Sequence, residues 1–292
     1  MPDLMPGIHV LLYFAAVKKD VDGRDKPGDD GQSLEVPTMK QDTPLQRLGS
    51  YAIALAAGIA LWEIAALNTK PTFLASFTAT MAQVWQFVLD GTLEAALLSS
   101  LALYACGMGI AIVAGVLCGL LLARMRLLRV ALESYITILY ATPMVALIPF
   151  ILSTIGFGFG PKVLVVFLFA FFPILYNTVE GARSLKPELL EVAHSFRSSE
   201  WRVWRDVLLP YTLPFALTGI RQAVARGLVG MVAAELFLSS SGIGQLIMRS
   251  GQDFDIPALF GSLLVVTVLG VILMAAGRTL ENRFAAWRGL DR

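Results

Sequence analysis

The sequence predicts an all-α, polytopic membrane protein with about six transmembrane helices, and three observations predict it. Hydrophobic residues make up 56% of the chain and charged residues 15%, against a soluble norm near 25% charged. The apolar residues fall into six runs that can each cross a bilayer as a helix. Lysine and arginine crowd the polar connections on one side of those runs and thin out on the other. Mean hydropathy is +0.68 and net charge +1, so no nucleic-acid footprint is present and a lipid bilayer is the expected surroundings.

Residues 1–40 do not match the rest. Ile8 to Val17 is apolar but too short to span. The following KKDVDGRDKPGDDGQ is charged, rich in Gly and Asp, and aperiodic. It predicts a disordered leader, with Met39 as the expected natural start and 41–292 as the membrane domain. The first span is expected at about Tyr51 to Leu67, and Asn68 to Asp90 is mixed, with Trp85 and Phe87 placed like interfacial aromatics. The second runs from about Leu93 to Ala123. The third, Val130 to Thr154, is broken by Pro143 and Pro149. The fourth, Val163 to Val179, contains Pro173, with Asn177 below it to bond carbonyls that the proline frees. The fifth and sixth are Pro214 to Leu238 and Ala258 to Gly277. Cys106 and Cys118 share one apolar run, roughly 18 Å apart by helix rise, too far for a disulfide.

One set of connections carries Arg124, Arg126, Arg129, Arg183, Lys186, Arg197, Arg202, Arg205, Arg278, Arg283, Arg288 and Arg292. The other carries only Lys70, Lys162 and Arg249. The positive-inside rule then predicts a multi-pass chain with both termini, and the connection that holds Arg197, Arg202 and Arg205, on the cytoplasmic side.

The polar interval 181–213 is not loop-like. Pro187 suits the first turn of a helix, and Glu188 and Glu191 complement its dipole. Leu189, Leu190, Ala193 and Phe196 follow at three- and four-residue spacing. Ser198 and Ser199 offer a break and a new N-cap. Trp201, Val203, Trp204, Val207 and Leu208 make a second apolar stripe, with Pro210 and Pro214 expected to end it. Two short amphipathic helices suit a docking surface; an interfacial helix lying on lipid headgroups is the other reading of the pattern.

This interval resembles the cytoplasmic "EAA" loop of permease subunits of type I ATP-binding cassette importers. Glu191-Val192-Ala193 fills the first part of the signature, and Val207-Leu208-Leu209-Pro210 the last. Arg197 stands where the signature has glycine, so a rearranged turn is expected there. FFPILYNTVEGARSLKPELLEVAHSF and SSSGIGQLI extend the resemblance to permeases of the nitrate, sulfonate and taurine group, over about Leu45 to Arg288. The resemblance implies a permease homodimer with two ATP-binding cassette ATPase subunits and one extracytoplasmic substrate-binding protein. It implies that ATP and Mg are bound by the ATPase, with no cofactor in this chain. It also assigns Glu191, Val192, Ala193, Phe196, Arg197, Trp201, Leu209 and Pro210 to ATPase coupling.

Charges within spans are costly, about 2.5–3.5 kcal/mol on insertion scales, and need protein or a watery path beside them. Arg221, Arg226 and Glu235 lie on the fifth span, Arg226 roughly 18 Å beyond Pro214 and so near its middle. They are candidates for a pathway an anion could use; interhelical pairing, or snorkelling by Arg221, is the structural alternative. Glu235 would oppose an anion, so a partner on a neighbouring span or on the binding protein is expected. Ser240 and Gly242, in SSSGIG, suit a tight re-entrant turn at a pathway mouth or an ordinary loop. Ala111, Gly115 and Gly119 form a small-residue stripe for packing within the chain or between two copies.

No G-x-x-x-x-G-K-[ST], H-E-x-x-H, C-x-x-C or G-x-S-x-G occurs, so the chain holds no phosphate-cradling loop of its own. No internal inversion marks a secondary transporter, and no convergent catalytic cluster marks a membrane enzyme. The expected function is that of a transport subunit and not an enzyme: the permease of an importer for a small anion or sulfonate-like solute. A vitamin or pyrimidine precursor is the alternative cargo, and a secondary transporter the remaining class.

Overall fold

Every described element is a helix. The computed structural model describes residues 44–238 and 241–285; the expected leader, Ser240, Arg288 and Arg292 lie outside them. The helices are α1 (Pro44–Leu67), α2 (Phe77–Leu89), α3 (Thr92–Arg124), α4 (Arg126–Ala141) and α5 (Ile148–Ile155). Then come α6 (Phe159–Arg183), α7 (Pro187–Ser195), the single turn α8 (Glu200–Arg202), α9 (Leu209–Leu238), α10 (Ile243–Gln252) and α11 (Ile256–Ala285). Residues from Ala54 onward form one compact unit.

Four helical stretches are long and apolar enough to span: Gly49–Leu67, Thr92–Arg124, Phe159–Arg183 and Ile256–Thr279. The expected third span is a bent pair, Leu127–Ala141 and Met144–Ile155, at 92°. The break falls at Thr142–Pro143 only, because Pro149 occupies the first turn of α5, where a missing N–H costs nothing. The remaining expected span, α9, has 30 residues, about 45 Å of helix. Its charges set it apart from the others.

Helix α6 sits between α3 and α9. The small-residue stripe on α3 explains the first contact. A Cβ at Gly107 would stand 2.6 Å from Val166, at Gly115 2.8 Å from Ile174, and at Gly119 2.6 Å from Thr178. Ala111 is fully buried in the same row. Two four-residue ridges therefore mesh within one chain, with backbones close enough for dispersion to hold them in lipid. On the other side, a Cβ at Gly230 of α9 would stand 2.8 Å from Phe169, and one at Gly219 2.9 Å from the Pro173 carbonyl. The core joins Leu103, Met108, Ala111, Val166, Ala170, Ile174, Ala223 and Met231 of these three helices. Asn177 Nδ2 does reach back along α6, but to the carbonyl of Pro173 itself, at 2.8 Å. The carbonyl that Pro173 frees is four residues earlier, so the expected role for Asn177 is corrected.

Candidate functional site

The polar interval folds as two helical pieces. Pro187 opens α7 after the extended Lys186, with Glu188 in the first turn. The helix ends in a Schellman motif: Ser198 N–H donates to Ala193 O at 3.1 Å and Arg197 N–H to His194 O at 2.8 Å. Arg197 occupies the left-handed position with φ +52°. The turn is thus not rearranged around the missing glycine. Arginine adopts the glycine conformation, at a cost of about 1 kcal/mol, because the two backbone bonds require it.

The second piece begins at Glu200 and passes through a π-helical turn, Val203–Leu208, into α9. Pro210 and Pro214 do not end it. Leu209 N–H bonds the Trp204 carbonyl, five residues back. This wide turn lets Pro210 stand in the first turn of α9, where it owes no N–H.

These pieces have an inner and an outer face. Ala193 is buried, with Val203 and Leu208. Ala193 was expected at a docking surface; it is buried, on the edge of the stripe next to Leu190, which packs against the chain's own core. Leu189 (43% exposed), Val192 (53%), Phe196 (80%) and Trp201 (72%) face outward, as do Glu191, Arg197, Leu209 and Pro210. Arg124 at the end of α3 pairs with Glu200. Tyr211 Oη donates to Ser184 O at 2.8 Å. Leu120, Ala182, Leu185 and Leu208 form a small core beneath the segment. The segment is therefore tied to the ends of α3 and α6.

Glu235, near the end of α9, is 1% exposed. Ser100 Oγ of α3 donates to its Oε1 at 2.7 Å, and Gly244 N–H to its Oε2 at 2.8 Å. Ser100 Oγ accepts in turn from Ile243 N–H at 2.9 Å. The carboxylate thus satisfies two leading N–H groups of α10, directly and through one hydroxyl, where the helix dipole favours negative charge. Gly242 has φ +100°, and a Cβ there would overlap the carboxylate. Lys162, itself buried, lies within electrostatic reach. Glu235 and Gly242, expected as pathway residues, are enclosed by these partners, and Glu235 has on a neighbouring helix the partner expected for it.

The middle of α9 differs. Arg221 Nε pairs with Glu281 of α11 at 3.2 Å, and Thr218 Oγ1 donates to the same carboxylate at 3.3 Å. Arg221, expected as a pathway candidate, is an interhelical ion-pair member. Arg226 is exposed, and its guanidinium lies 4.7 Å over the ring of Tyr140, which stacks on Tyr176 at 5.9 Å. No carboxylate pairs with Arg226 among the described residues. Beside it lies a cavity of about 250 Å³ lined by Tyr140, Thr142, Met144, Leu168, Phe169, Phe172, Arg226 and Val229.

Ser100, Glu281 and Tyr140, the partners of the three charges, had no signal in the sequence: each is an ordinary member of its helix and more than 50 residues away. Among the described residues, no His, Cys, Asp and Glu group is placed to hold a metal.

A model of the family described as "binding-protein-dependent transport system inner membrane component" matches residues 111–286, and the chain belongs to that family. It is thus a multi-pass inner membrane protein and a transport component, not an enzyme. It is 30% identical to the formylaminopyrimidine transport permease protein ThiX of Halalkalibacterium halodurans, over 65% of this chain and 76% of that one. It is also 30% identical to the putative aliphatic sulfonates transport permease protein SsuC of Bacillus subtilis, over 79% and 84% of the two chains. The inward-facing MetNI methionine ABC transporter shares the fold, with a TM-score of 0.58 at 17% identity over 67% of this chain and 97% of the other.

Proposed function

We propose that this chain is the membrane permease subunit of an importer for a small organic anion, driven by a separate ATPase that seats on the segment 187–209. The ATPase would bind the ATP and Mg. An extracytoplasmic binding protein would deliver the solute, and a second permease copy would complete the path. The observation that carries the coupling role is the outward stripe Leu189, Val192, Phe196 and Trp201 on an otherwise polar connection. Apolar side chains that stand free on a polar surface gain by entering a partner's groove. The ties through Arg124–Glu200 and Tyr211–Ser184 would pass any rotation of that segment to α3 and α6 as a rigid-body motion. Similarity to the sulfonate permease and the guanidinium of Arg226, which has no carboxylate partner among the described residues, support an anionic cargo. Similarity to the formylaminopyrimidine permease favours a small heterocycle as the second reading.

Phe196→Asp with Trp201→Asp tests the coupling role. Both side chains are exposed, so the permease should insert and melt normally. Each change should cost about 2 kcal/mol or more at a packed interface, enough to lose the ATPase in co-purification and to abolish uptake. A full complement of ATPase with undiminished uptake would refute the assignment.

A further inference from the structure

We propose that the cavity beside Arg226 is a transit site for organic mono-anions with a short apolar body, such as an alkanesulfonate, and that it selects against zwitterions and bare inorganic anions. The inference rests on the importer reading and names the class of solute its path accepts.

Four features of the cavity lead there. Arg226 is the only charged residue in its lining, and its guanidinium is engaged by the Tyr140 ring and by no carboxylate among the described residues. A ring face interacts with the cation but leaves its N–H donors unsatisfied, so they remain open to an acidic headgroup. The rest of the lining is Tyr140, Thr142, Met144, Leu168, Phe169, Phe172 and Val229, with the Thr142 hydroxyl already donating to the Ile138 carbonyl; these walls would cover an apolar body and repay little of the hydration a small inorganic anion gives up. Among the described residues no Asp or Glu lines the cavity, so the ammonium of a zwitterion would be desolvated without a partner. The volume, about 250 Å³, falls below the roughly 300–1,000 Å³ of sites for drug-sized ligands, which sets the solute as small.

The location fits a path. The cavity opens where the 92° bend between α4 and α5 interrupts regular helix at Thr142–Pro143. Irregular backbone at membrane depth persists where it lines a watery space. A single guanidinium with apolar walls also holds an anion loosely enough for it to leave.

The test uses the full-length permease assembled with its ATPase in lipid nanodiscs, without the binding protein. Equilibrium dialysis measures pentanesulfonate, taurine and nitrate. Pentanesulfonate should bind saturably, taurine and nitrate at least about tenfold more weakly. Arg226→Gln should weaken pentanesulfonate roughly tenfold or more, the scale of a lost charge-assisted hydrogen bond. Val229→Trp, which fills the cavity and keeps Arg226, should weaken it as well, with a thermal melt confirming fold in each variant. Equal binding of the three probes, or pentanesulfonate binding unchanged in a folded Arg226→Gln or Val229→Trp, overturns the site. Failure of the permease to assemble with the ATPase overturns the importer reading instead, so the two are told apart.

Discussion

Glu235 and Arg226 lie nine residues apart on one helix, and their surroundings are opposite. Glu235 is enclosed, with both oxygens accepting hydrogen bonds and the start of α10 built around it. Arg226 faces a ring and a cavity and has no carboxylate partner among the described residues. An intramembrane charge with a complete set of partners holds elements together. One with donors left over can meet a solute. The same distinction separates Arg221, bound to Glu281, from Arg226 one and a half turns away.

The largest expected effect breaks the enclosed end. Glu235→Ala removes the acceptor from Gly244 N–H and Ser100 Oγ, at about 1–3 kcal/mol for each buried group left unpaired. A drop of roughly 3 kcal/mol or more in detergent unfolding is expected, together with lost protection of the α10 amides in hydrogen exchange. Unchanged protection would mean that the carboxylate is not what holds α10. Gly242→Ala comes next. It adds a methyl against the carboxylate and strains a left-handed backbone, costing about 1–3 kcal/mol. Glu235→Ala with Gly242→Ala should then cost less than the sum, since the first change empties the space the methyl needs.

Strain without enclosure behaves differently. At Arg197 the chain holds an arginine in a glycine conformation, so Arg197→Gly should stabilise the permease by about 1 kcal/mol. A loss of stability would show that the guanidinium has a partner worth more than the turn strain. Smallest of all is the folded-state cost of changing Arg226. An exposed cation over a ring contributes about 0.5–1 kcal/mol, so Arg226→Gln should shift unfolding by no more than that. A shift as large as that of Glu235→Ala would erase the contrast between the two ends and make Arg226 a packing residue.

Much of this was readable in advance. The membrane class, five of the six expected spans as long apolar helices or a bent pair, and the helical nature of the polar interval followed from hydropathy, proline positions and apolar spacing. The Arg226 position near the middle of α9 followed from counting residues. What could not be read was direction and company. Ala193 and Phe196 belong to one amphipathic stripe in the sequence, yet one is buried and the other is 80% exposed. The stripe says that a face exists; the packing of Leu190 against Leu120, Leu185 and Leu208 decides which part of it the chain covers itself.

The proline pair gives the same lesson. Pro210 and Pro214 predict a stop from local rules, and a π-helical turn supported by the packing of Val203 and Leu208 carries the helix through. By itself, then, the sequence determined which segments are helical and apolar, and where charge must sit along them, because these depend on periodicity and composition within one segment. The tertiary structure alone decided which charges are enclosed. Ser100 and Lys162 reach Glu235, and Glu281 reaches Arg221, from segments distant in the chain. A hydrogen bond or ion pair of that kind depends on ångström-scale approach between helices, which no local pattern encodes.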